Sequence, residues 1–356
     1  MSGRVVAVDP STDRRWDEFV GRAPGAGVFH SSPWLDVIKR TYGYRPEHLA
    51  YEVDGTIEGI LPLLLVRSVV TGARLVSLPY SGPAGPVGAT DDAVNALVTA
   101  AVRLRVERGC GHLNLQVRQR LPAPSESRLA STVPIVCSGL PLTGDPSVAW
   151  ASLRKVLRWE IRRARRFGIS VSAAEGARDL ETFYRLHIET HRRHGLPPQP
   201  WRLFELMREI LAPLGMLRLL VASFDGRPIH AALCLRHQRV WSLLYTGADD
   251  RFRPCHPGQL VHWTAISLAS EEGYRHFDFL QSDVNDGGLR WYKRSFGCVE
   301  SPVTFYFDPP RMPSVAFKNW LVRGQSRGPR LVRAAVRQAP AAALRLVGAV
   351  AFKHMG

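Results

Sequence analysis

The chain has 356 residues, of which 45% are hydrophobic, and 47 Lys and Arg against 31 Asp and Glu give a formal net charge of +16. This length predicts two domains, and the excess of positive charge predicts a polyanionic partner such as nucleic acid, a nucleotide phosphate or an anionic membrane surface. Five cysteines without C-x-x-C spacing argue against a disulfide framework or a zinc site and favour a reducing cytoplasm.

The first third of the chain alternates helix and strand patterns. The predicted elements are strands at 5–8, 49–53, 56–66, 74–80 and 112–117 and helices at 12–22, 34–41 and 91–108. Ser11 is placed to cap the first helix, and Ser31 or Ser32 the second. Asp54-Gly55 predicts a hairpin turn, and the Pro- and Ser-rich segment 121–128 predicts a domain boundary.

The second half repeats the first. Asp225-Gly226 separates strand patterns at 219–223 and 228–235, as Asp54-Gly55 does in the first half. Two further segments match at nearly the same offset. Residues 76–82 match residues 241–247 at an offset of 165 residues, and residues 107–115 match residues 271–279 at an offset of 164 residues. We infer two tandem copies of one mixed α/β unit.

The copies differ after this matching strand. The turn after Tyr80 has no basic residue, whereas the turn after Tyr245 carries Arg251, Arg253 and His256. The backbone N–H groups around Gly258, at the start of a predicted helix over 259–272, add to this positive charge. The pattern predicts an anion site in the second copy; an ordinary basic surface turn is the alternative.

Three motifs of the second copy carry a family resemblance: a Pro-Gly-x-Leu helix start at 257–260, a Gly-x-x-x-Phe-Asp-Phe strand at 273–279 and a Tyr-Lys-x-x-Phe-Gly closure at 292–297. With the hairpin and the Tyr-x-Gly strand end, they resemble the GNAT-related fold of FemAB-like aminoacyltransferases. The resemblance is best for 150–305.

This resemblance implies an α/β fold with a mixed sheet in each of two tandem GNAT-like domains. The expected boundaries are 1–125 for a degenerate first domain, 126–310 for a catalytic second domain and 311–356 for a basic amphipathic tail. In FemAB-like proteins such domains attach amino acids from aminoacyl-tRNA to the peptide stem of a peptidoglycan precursor.

The resemblance also implies roles for single residues. Lys293 matches the family's lysine and is expected to stabilise the oxyanion or hold a substrate phosphate. Asp278 is expected to orient the acceptor amine or take its proton. A solvated lysine and an arginine-paired carboxylate are the alternatives. The expected substrate-binding residues are Tyr245, Arg251, Arg253, His256, Gly258, Ser282, Trp291, Tyr292 and Phe296.

The donor is expected to be a co-substrate, either aminoacyl-tRNA or acyl-CoA, with no tightly bound cofactor. The segment 253–258 departs from the usual acetyl-CoA loop and contains two prolines that donate no hydrogen bond. This favours aminoacyl transfer to a primary amine of an envelope precursor. An acyl-CoA-dependent enzyme acting on an amino sugar or small metabolite, and a non-catalytic RNA- or membrane-binding module, stay open.

Two basic stretches bear on partners and location. Residues 154–166 predict an arginine-rich helix for RNA or a nucleotide-linked precursor, or a solvated helix. Residues 311–356 hold nine Lys and Arg and no acidic residue, which predicts peripheral contact with an anionic membrane or a disordered tail. The N-terminus lacks a signal peptide pattern, so we expect a cytoplasmic protein, peripheral on the inner membrane face. His187 and His191 are a weak metal pair.

Overall fold

The computed structural model describes residues 3–68, 72–310 and 327–355. Contacts divide the chain into two compact units. The first comprises Met1–Val136, Pro302–Asn319 and Ala351–Gly356, and the second comprises Cys137–Ser301 and Trp320–Val350. The domain limits expected after residues 125 and 310 stay a prediction.

The described chain alternates helices and strands throughout. Its α-helices are α1 Arg14–Arg22, α2 Ser32–Tyr42, α3 Asp91–Glu107, α4 Ala123–Glu126, α5 Pro146–Ser152, α6 Lys155–Arg166, α7 Ala177–His194, α8 Trp201–Leu206, α9 Pro257–Glu271, α10 Gly287–Ser295, α11 Arg327–Gln338 and α12 Ala341–Met355. Its strands are β1 Arg4–Ala7, β2 Arg45–Pro46, β3 Leu49–Val53, β4 Thr56–Leu61, β5 Leu64–Ser68, β6 Gly72–Val76, β7 Val87–Gly88, β8 His112–Val117, β9 Ala130–Pro141, β10 Ser170–Ala174, β11 Leu217–Phe224, β12 Arg227–His237, β13 Val240–Ala248, β14 His276–Asp283 and β15 Val299–Asp308.

The first unit contains two sheet segments. One is four-stranded, in the order β1-β3-β4-β7, and the other runs β15-β8-β6-β5-β2. Strands β6 and β8 are parallel, and α3 connects them. The α3 residues Leu97, Val98 and Ala101 are buried in one apolar cluster with β8 residues Leu113 and Leu115. This unit is therefore held together by a βαβ core.

The second unit has strand order β10-β11-β12-β13-β14-β9. Strands β10 to β13 are antiparallel, whereas β13 and β14 are parallel and connected by α9. Helices α5, α6 and α9 cover one face with an apolar cluster that includes Trp241 and Phe277. Helix α7 covers the other face. A Cβ on Gly247 of β13 would lie 2.6 Å from the backbone nitrogen of His187, so α7 approaches β13 more closely than any residue but glycine allows.

The internal repeat is visible in the backbone. Both hairpin turns have positive φ at both central residues, 49° and 79° for Asp54-Gly55 and 48° and 70° for Asp225-Gly226, which the type I′ turn requires. Both hairpins then shift register at the same step, with Tyr51 opposite Gly59 in the first and Ala222 opposite His230 in the second. The strand, helix and parallel strand that follow also recur.

Several local expectations are wrong. Asp13 caps α1 and accepts the Arg15 N–H, while the Ser11 hydroxyl and N–H both donate to Asp9. Ser31 lies at the start of α2 without a side-chain capping bond. Two other differences concern strand bounds: the run 56–66 splits into β4 and β5, and the strand 74–80 stops at residue 76. Leu78 and Tyr80 both have φ of 58°, which lies outside the extended region of a regular strand.

The basic tail is helical where it is described. Residues 311–326 lie outside the described residues. Helix α11 contacts the end of α7, and the Arg345 guanidinium of α12 lies 5.1 Å from the Tyr184 ring centroid and 5.4 Å from that of Trp201. Over these two helices the chain is helical and not disordered, so the alternative of a disordered tail does not hold there. No described helix is both long enough and apolar enough to cross a membrane.

Candidate functional site

Strands β13 and β14 diverge toward their carboxyl ends. In the described chain they pair only over Val240–Ser242 and His276–Asp278, although β13 continues to Ala248 and β14 to Asp283. A register shift at Leu244 bends β13 at this point, since Cys234 faces Leu243 and Leu233 faces Tyr245. The divergence opens the sheet beside the start of α9, where α/β proteins commonly bind ligands.

Buried polar side chains gather on the α9 side of this divergence. His230 of β12 and His262 of α9 lie with ring centroids 5.7 Å apart, and His262 Nδ1 is 2.8 Å from the Tyr292 hydroxyl of α10. Among the described residues, His230 Nδ1 and His262 Nε2 have no hydrogen-bond partner. A buried polar atom without a partner costs about 1 to 3 kcal/mol. These two nitrogens therefore have unused hydrogen-bonding capacity.

The groups in this cluster are uncharged at neutral pH. Burial lowers the pKa of His230 to about 4 and holds the pKa of His262 well below its ordinary value. Burial also raises the pKa of Tyr292. The cluster therefore offers a ligand neutral donors and acceptors in a site of low polarity.

The first copy has no such cluster at the matching positions. The offset of 164 residues that aligns Gly109 with Gly273 places Val98 at the position of His262, and the shared hairpin register places Gly59 at the position of His230. Neither histidine is signalled by the sequence, because each stands alone in an apolar run. A residue-by-residue comparison of the two copies would have identified them.

Lys293 lies inside the protein, with 5% of its surface exposed. Its Nζ donates to three backbone carbonyls, those of Phe279 at 2.8 Å, Leu280 at 3.0 Å and Gln281 at 2.9 Å. These bonds use all three ammonium donors. The predicted oxyanion role stays a prediction, and the geometry adds that donation to a substrate requires one of these bonds to break.

Asp278 is buried beside this lysine. Its Oδ1 accepts the Leu280 N–H at 2.7 Å, and Leu280 has a φ of +54°. Burial lowers the pKa of Lys293 to about 8, and the Asp278 carboxylate opposes that shift. The structure thus brings the two predicted catalytic residues together, around the irregular turn of β14.

Only part of the predicted anion site, which consists of Arg251, Arg253, His256 and the backbone around Gly258, is free of described protein carboxylates. Arg251 donates to both carboxylate oxygens of Asp249, at 2.9 and 2.6 Å, so its charge is already paired. Arg253 is exposed, and no described carboxylate pairs with it. His256 adopts a left-handed conformation at the start of α9 and lies 3.7 Å from Glu160. Gly258 follows in the first turn, where a Cβ would meet His230 Nε2 at 3.0 Å.

The remaining predicted substrate residues do not form one wall. Tyr245 lies on the α7 face, 5.6 Å from the His187 ring and 5.4 Å from Phe204. Trp291 is 47% exposed. Phe296 is fully buried in the core, so any effect of Phe296 on a substrate is indirect. Ser282 is buried, and its hydroxyl has no hydrogen-bond partner among the described residues. In this respect the hydroxyl is like His230 Nδ1 and His262 Nε2.

His187 is unsuited to metal binding in this conformation. Its Nδ1 lies 3.3 Å from the Thr246 carbonyl and its Nε2 lies 2.6 Å from Gln199 Oε1, so both ring nitrogens are used. His191 Nδ1 is 2.9 Å from the Pro197 carbonyl. These bonds give the histidine pair a role in joining α7 to β13 and to the segment that follows α7.

Helix α6 presents a basic and aromatic surface. Leu157, Ile161 and Ala164 face the core, and no ion pair links the α6 arginines to a described carboxylate. The exposed arginines and lysine of the segment are Arg154, Lys155, Arg162, Arg163, Arg165 and Arg166. The Arg163 guanidinium lies 5.2 Å from the centroid of Trp159, which is 47% exposed. This combination suits nucleic acid backbone and unstacked bases.

The second unit is similar to known proteins. Residues 151–294 match the family model described as "Acetyltransferase (GNAT) domain". A curated UDP-N-acetylmuramoylpentapeptide-lysine N(6)-alanyltransferase of Weissella viridescens is 22% identical over 141 residues, which are 38% of this chain and 41% of that protein. The match therefore spans less than half the length of this relative.

Solved structures share the fold over most of the chain. FemX superposes with a TM-score of 0.69 at 15% identity, covering 86% of this chain and 97% of FemX. L-PGS from Bacillus licheniformis superposes with a TM-score of 0.56 at 11% identity, covering 93% of this chain and 97% of L-PGS. A tandem GNAT protein from the clavulanic acid biosynthesis pathway superposes with a TM-score of 0.50 at 12% identity, covering 88% of this chain and 100% of that protein. The expected α/β fold with tandem GNAT-like domains is confirmed.

Proposed function

Because the chain carries a GNAT acyltransferase domain at residues 151–294, we propose that it transfers an aminoacyl group from aminoacyl-tRNA to a primary amine of a cell-envelope precursor. The alanyltransferase relative, whose printed name specifies a lysine N(6) acceptor on a muramoyl pentapeptide, supports this acceptor class. The chain shares the fold of FemX, which is consistent with it.

The observation that carries the proposal is the buried cluster of His230, His262 and Tyr292 beside the divergence of β13 and β14. It lies where β13 and β14 of this chain diverge, and two of its ring nitrogens lack partners among the described residues. The first unit has Gly59 and Val98 at the two histidine positions, so we assign the chemistry to the second unit.

The turn before α9 favours a tRNA ester over acyl-CoA. A coenzyme A diphosphate at a helix start is held by successive backbone N–H groups. Here Pro254 and Pro257 have no N–H, and Arg251 is paired with Asp249. An aminoacyl-tRNA donor needs no such loop, because its phosphates can be held elsewhere. The unpaired arginines of α6 provide that surface.

The reaction requires a neutral amine, an ester carbonyl within reach and a donor to the tetrahedral oxyanion. The amine nitrogen forms a bond to the carbonyl carbon, the ester C–O bond breaks, and the amine proton ends on the released 3′ oxygen. With the proton of His262 on Nδ1, the imidazole donates to the Tyr292 oxygen, and the Tyr292 hydroxyl donates to the oxyanion. His262 Nε2 then accepts a hydrogen bond from the attacking amine.

In this scheme Lys293 and Asp278 hold the backbone of the site and do not contact the reacting atoms. The ammonium holds the carbonyls of β14 in place, and the Asp278 carboxylate holds the Leu280 N–H. Together they fix the path of β14 where it leaves β13. Direct donation by Lys293 to the oxyanion, or to a substrate phosphate, is the alternative that its variants test.

The C-terminal helices supply a surface for membrane contact. On α12, Leu346 is 73% exposed and Val350 is 65% exposed, one turn apart, while Leu344 is buried. Arg345 is the sequence neighbour of Leu346, α11 carries further arginines, and the described tail has no acidic residue. Apolar residues beside cations suit the interface of an anionic bilayer, where a lipid-linked acceptor resides.

The donor is tested by incubating the purified chain with a muramoyl pentapeptide precursor and either a charged tRNA pool or a set of acyl-CoA thioesters. We expect amino acid to leave the tRNA and the precursor to gain one aminoacyl mass. Thiol release from acyl-CoA with intact charged tRNA would establish the acyl-CoA alternative. Salt-sensitive RNA binding with neither donor consumed would establish the non-catalytic one.

A further inference from the structure

A pocket of about 370 Å³ lies at the carboxyl end of α7, beside α11. Its lining consists of His194, Leu196, Arg330, Arg333 and Arg337. Three of these five residues are arginines, and none is acidic. The pocket is separate from the His230 and His262 cluster, and the proposed transfer reaction does not use it.

The backbone holds the three arginines over the end of α7. Their spacing of three and four residues places them on one face of α11. Helix α7 ends at Gly195, whose φ is 69°, and a Cβ there would lie 2.8 Å from the Arg333 Cβ and 2.9 Å from its carbonyl oxygen. Only glycine allows this approach and this backbone conformation together. The pocket is therefore a built feature of the packing between α7 and α11.

The charge around the pocket is strongly positive. Arg330 and Arg337 are exposed, and neither forms an ion pair with a described carboxylate. Arg193 Nη2 lies 3.0 Å from His194 Nε2 while its other terminus pairs with Asp250. Burial, and then the charge of Arg193, lower the pKa of His194, so its ring adds a hydrogen bond and no charge at pH 7.

We propose that this pocket binds the diphosphate group of a substrate. Guanidinium groups present paired N–H donors that match phosphate oxygens, and two linked phosphates supply enough acceptors for three arginines. The volume is at the low end of small-molecule sites, which suits a diphosphate with part of its attached group. A nucleic acid backbone instead needs a row of cations along an open surface, as on α6.

This inference rests on the proposed function, because it assigns the diphosphate to the amine acceptor. The ion pair between Arg193 and Asp250 joins the end of α7 beside the pocket to the turn before α9, and the charges of Arg253 and Asp286 act on His194. Arg253 belongs to the turn before α9. Asp286 caps α10, the helix that carries Tyr292 and Lys293. The pocket is therefore linked to the turn and to the helix that flank the cluster. Both a nucleotide and an isoprenoid lipid can carry such a group.

Calorimetric titration of the full chain with inorganic pyrophosphate and with orthophosphate, at constant ionic strength, tests the pocket. We expect pyrophosphate to bind more tightly, and the Arg330→Gln/Arg337→Gln variant to bind it at least ~30-fold more weakly, as the loss of two charge-assisted contacts implies. Both arginines are exposed, and unchanged thermal unfolding confirms that the variant folds.

The matched control is Arg14→Gln/Arg103→Gln, which removes the same charge from exposed positions of the first unit. Its affinity for pyrophosphate is expected to stay within about twofold of the parent chain. Equal weakening by both double variants would show a general charge effect and overturn the proposal. So would equal affinity of the parent chain for pyrophosphate and orthophosphate.

Competition then identifies the source of the diphosphate. Uridine diphosphate displacing pyrophosphate more effectively than geranyl diphosphate indicates a nucleotide-linked substrate, and the reverse indicates a lipid-linked one. Failure of both to displace pyrophosphate rejects a substrate site. These titrations contain no acyl donor. Pyrophosphate binding that is lost in Arg330→Gln/Arg337→Gln while transfer stays intact therefore refutes the assignment of the diphosphate to the acceptor, whereas pyrophosphate binding by a parent chain that shows no transfer refutes the proposed function alone.

Discussion

Replacing Lys293 with methionine tests how β14 is held at the site. The change keeps the length of the side chain but removes the ammonium, which leaves the carbonyls of Phe279, Leu280 and Gln281 without their donor. Each buried carbonyl without a partner costs about 1 to 3 kcal/mol, and water entry recovers part of it. We expect the free energy of unfolding to fall by about 3 kcal/mol and the melting temperature by about 6 to 12 °C.

The pH dependence of the same comparison has a definite sign. The pKa of Lys293 is about 8 in the folded chain against an ordinary 10.5, so the unfolded chain binds more protons between these values. The stability of the parent chain relative to Lys293→Met therefore rises as the pH increases through this window, by up to ~3 kcal/mol. Below about pH 8 the difference is constant.

Chemical denaturation and a transfer assay on the same samples provide the measurement. Arg294→Met is the matched control: its guanidinium is exposed and 3.9 Å from Glu300, so we expect a change within ~0.5 kcal/mol. Because Lys293 fixes the backbone of β14 beside the site, we expect Lys293→Met to lower turnover by about 100-fold, the cost of misplacing reacting groups by about 1 Å. A variant as stable as the parent would refute the anchoring role, and if it also lost turnover it would support direct donation to the substrate.

Three further changes probe the account. Tyr292→Phe removes the partner of His262 Nδ1, and we expect turnover to fall at least ~100-fold while stability falls by only about 1 to 2 kcal/mol in denaturant titration; unchanged turnover would remove Tyr292 from the mechanism. Gly247→Ala should cost about 2 kcal/mol or more, against about zero for Gly287→Ala, which meets nothing within 4 Å; equal melting temperatures would contradict the tight approach of α7. Arg163→Ala should lower the slope of log affinity for tRNA against log salt by about 1, and an unchanged slope would place the RNA elsewhere.

The fold followed from local signals that act over a few residues. Asp-Gly at 54–55 and at 225–226 predicts the two hairpins because both turns need positive φ at two successive residues. The matching offsets predict a repeat, and the shared register shift of the two hairpins confirms it. Where the backbone departs from a regular path, as at Leu78 and Tyr80, the sequence pattern still indicates a strand and the prediction fails.

The site could be predicted only in part, because its chemistry depends on contacts between distant segments. The motif around Lys293 indicates a functional lysine, yet nothing local shows that three carbonyls of β14 occupy its donors. Arg251 is a candidate anion ligand by position, but Asp249 two residues earlier already pairs with it. His230 and His262 are 32 residues apart, and only the packing of α9 on β12 brings them together.

The central claim is that the acyl group transfers in the second unit, between the carboxyl ends of β13 and β14. A crystal structure of the chain with a tRNA acceptor-stem mimic, whose ester is replaced by a stable amide, tests this directly. We predict the aminoacyl group within hydrogen-bond distance of Tyr292 or His262. An aminoacyl group bound instead beside β6 and β8 of the first unit would contradict the account.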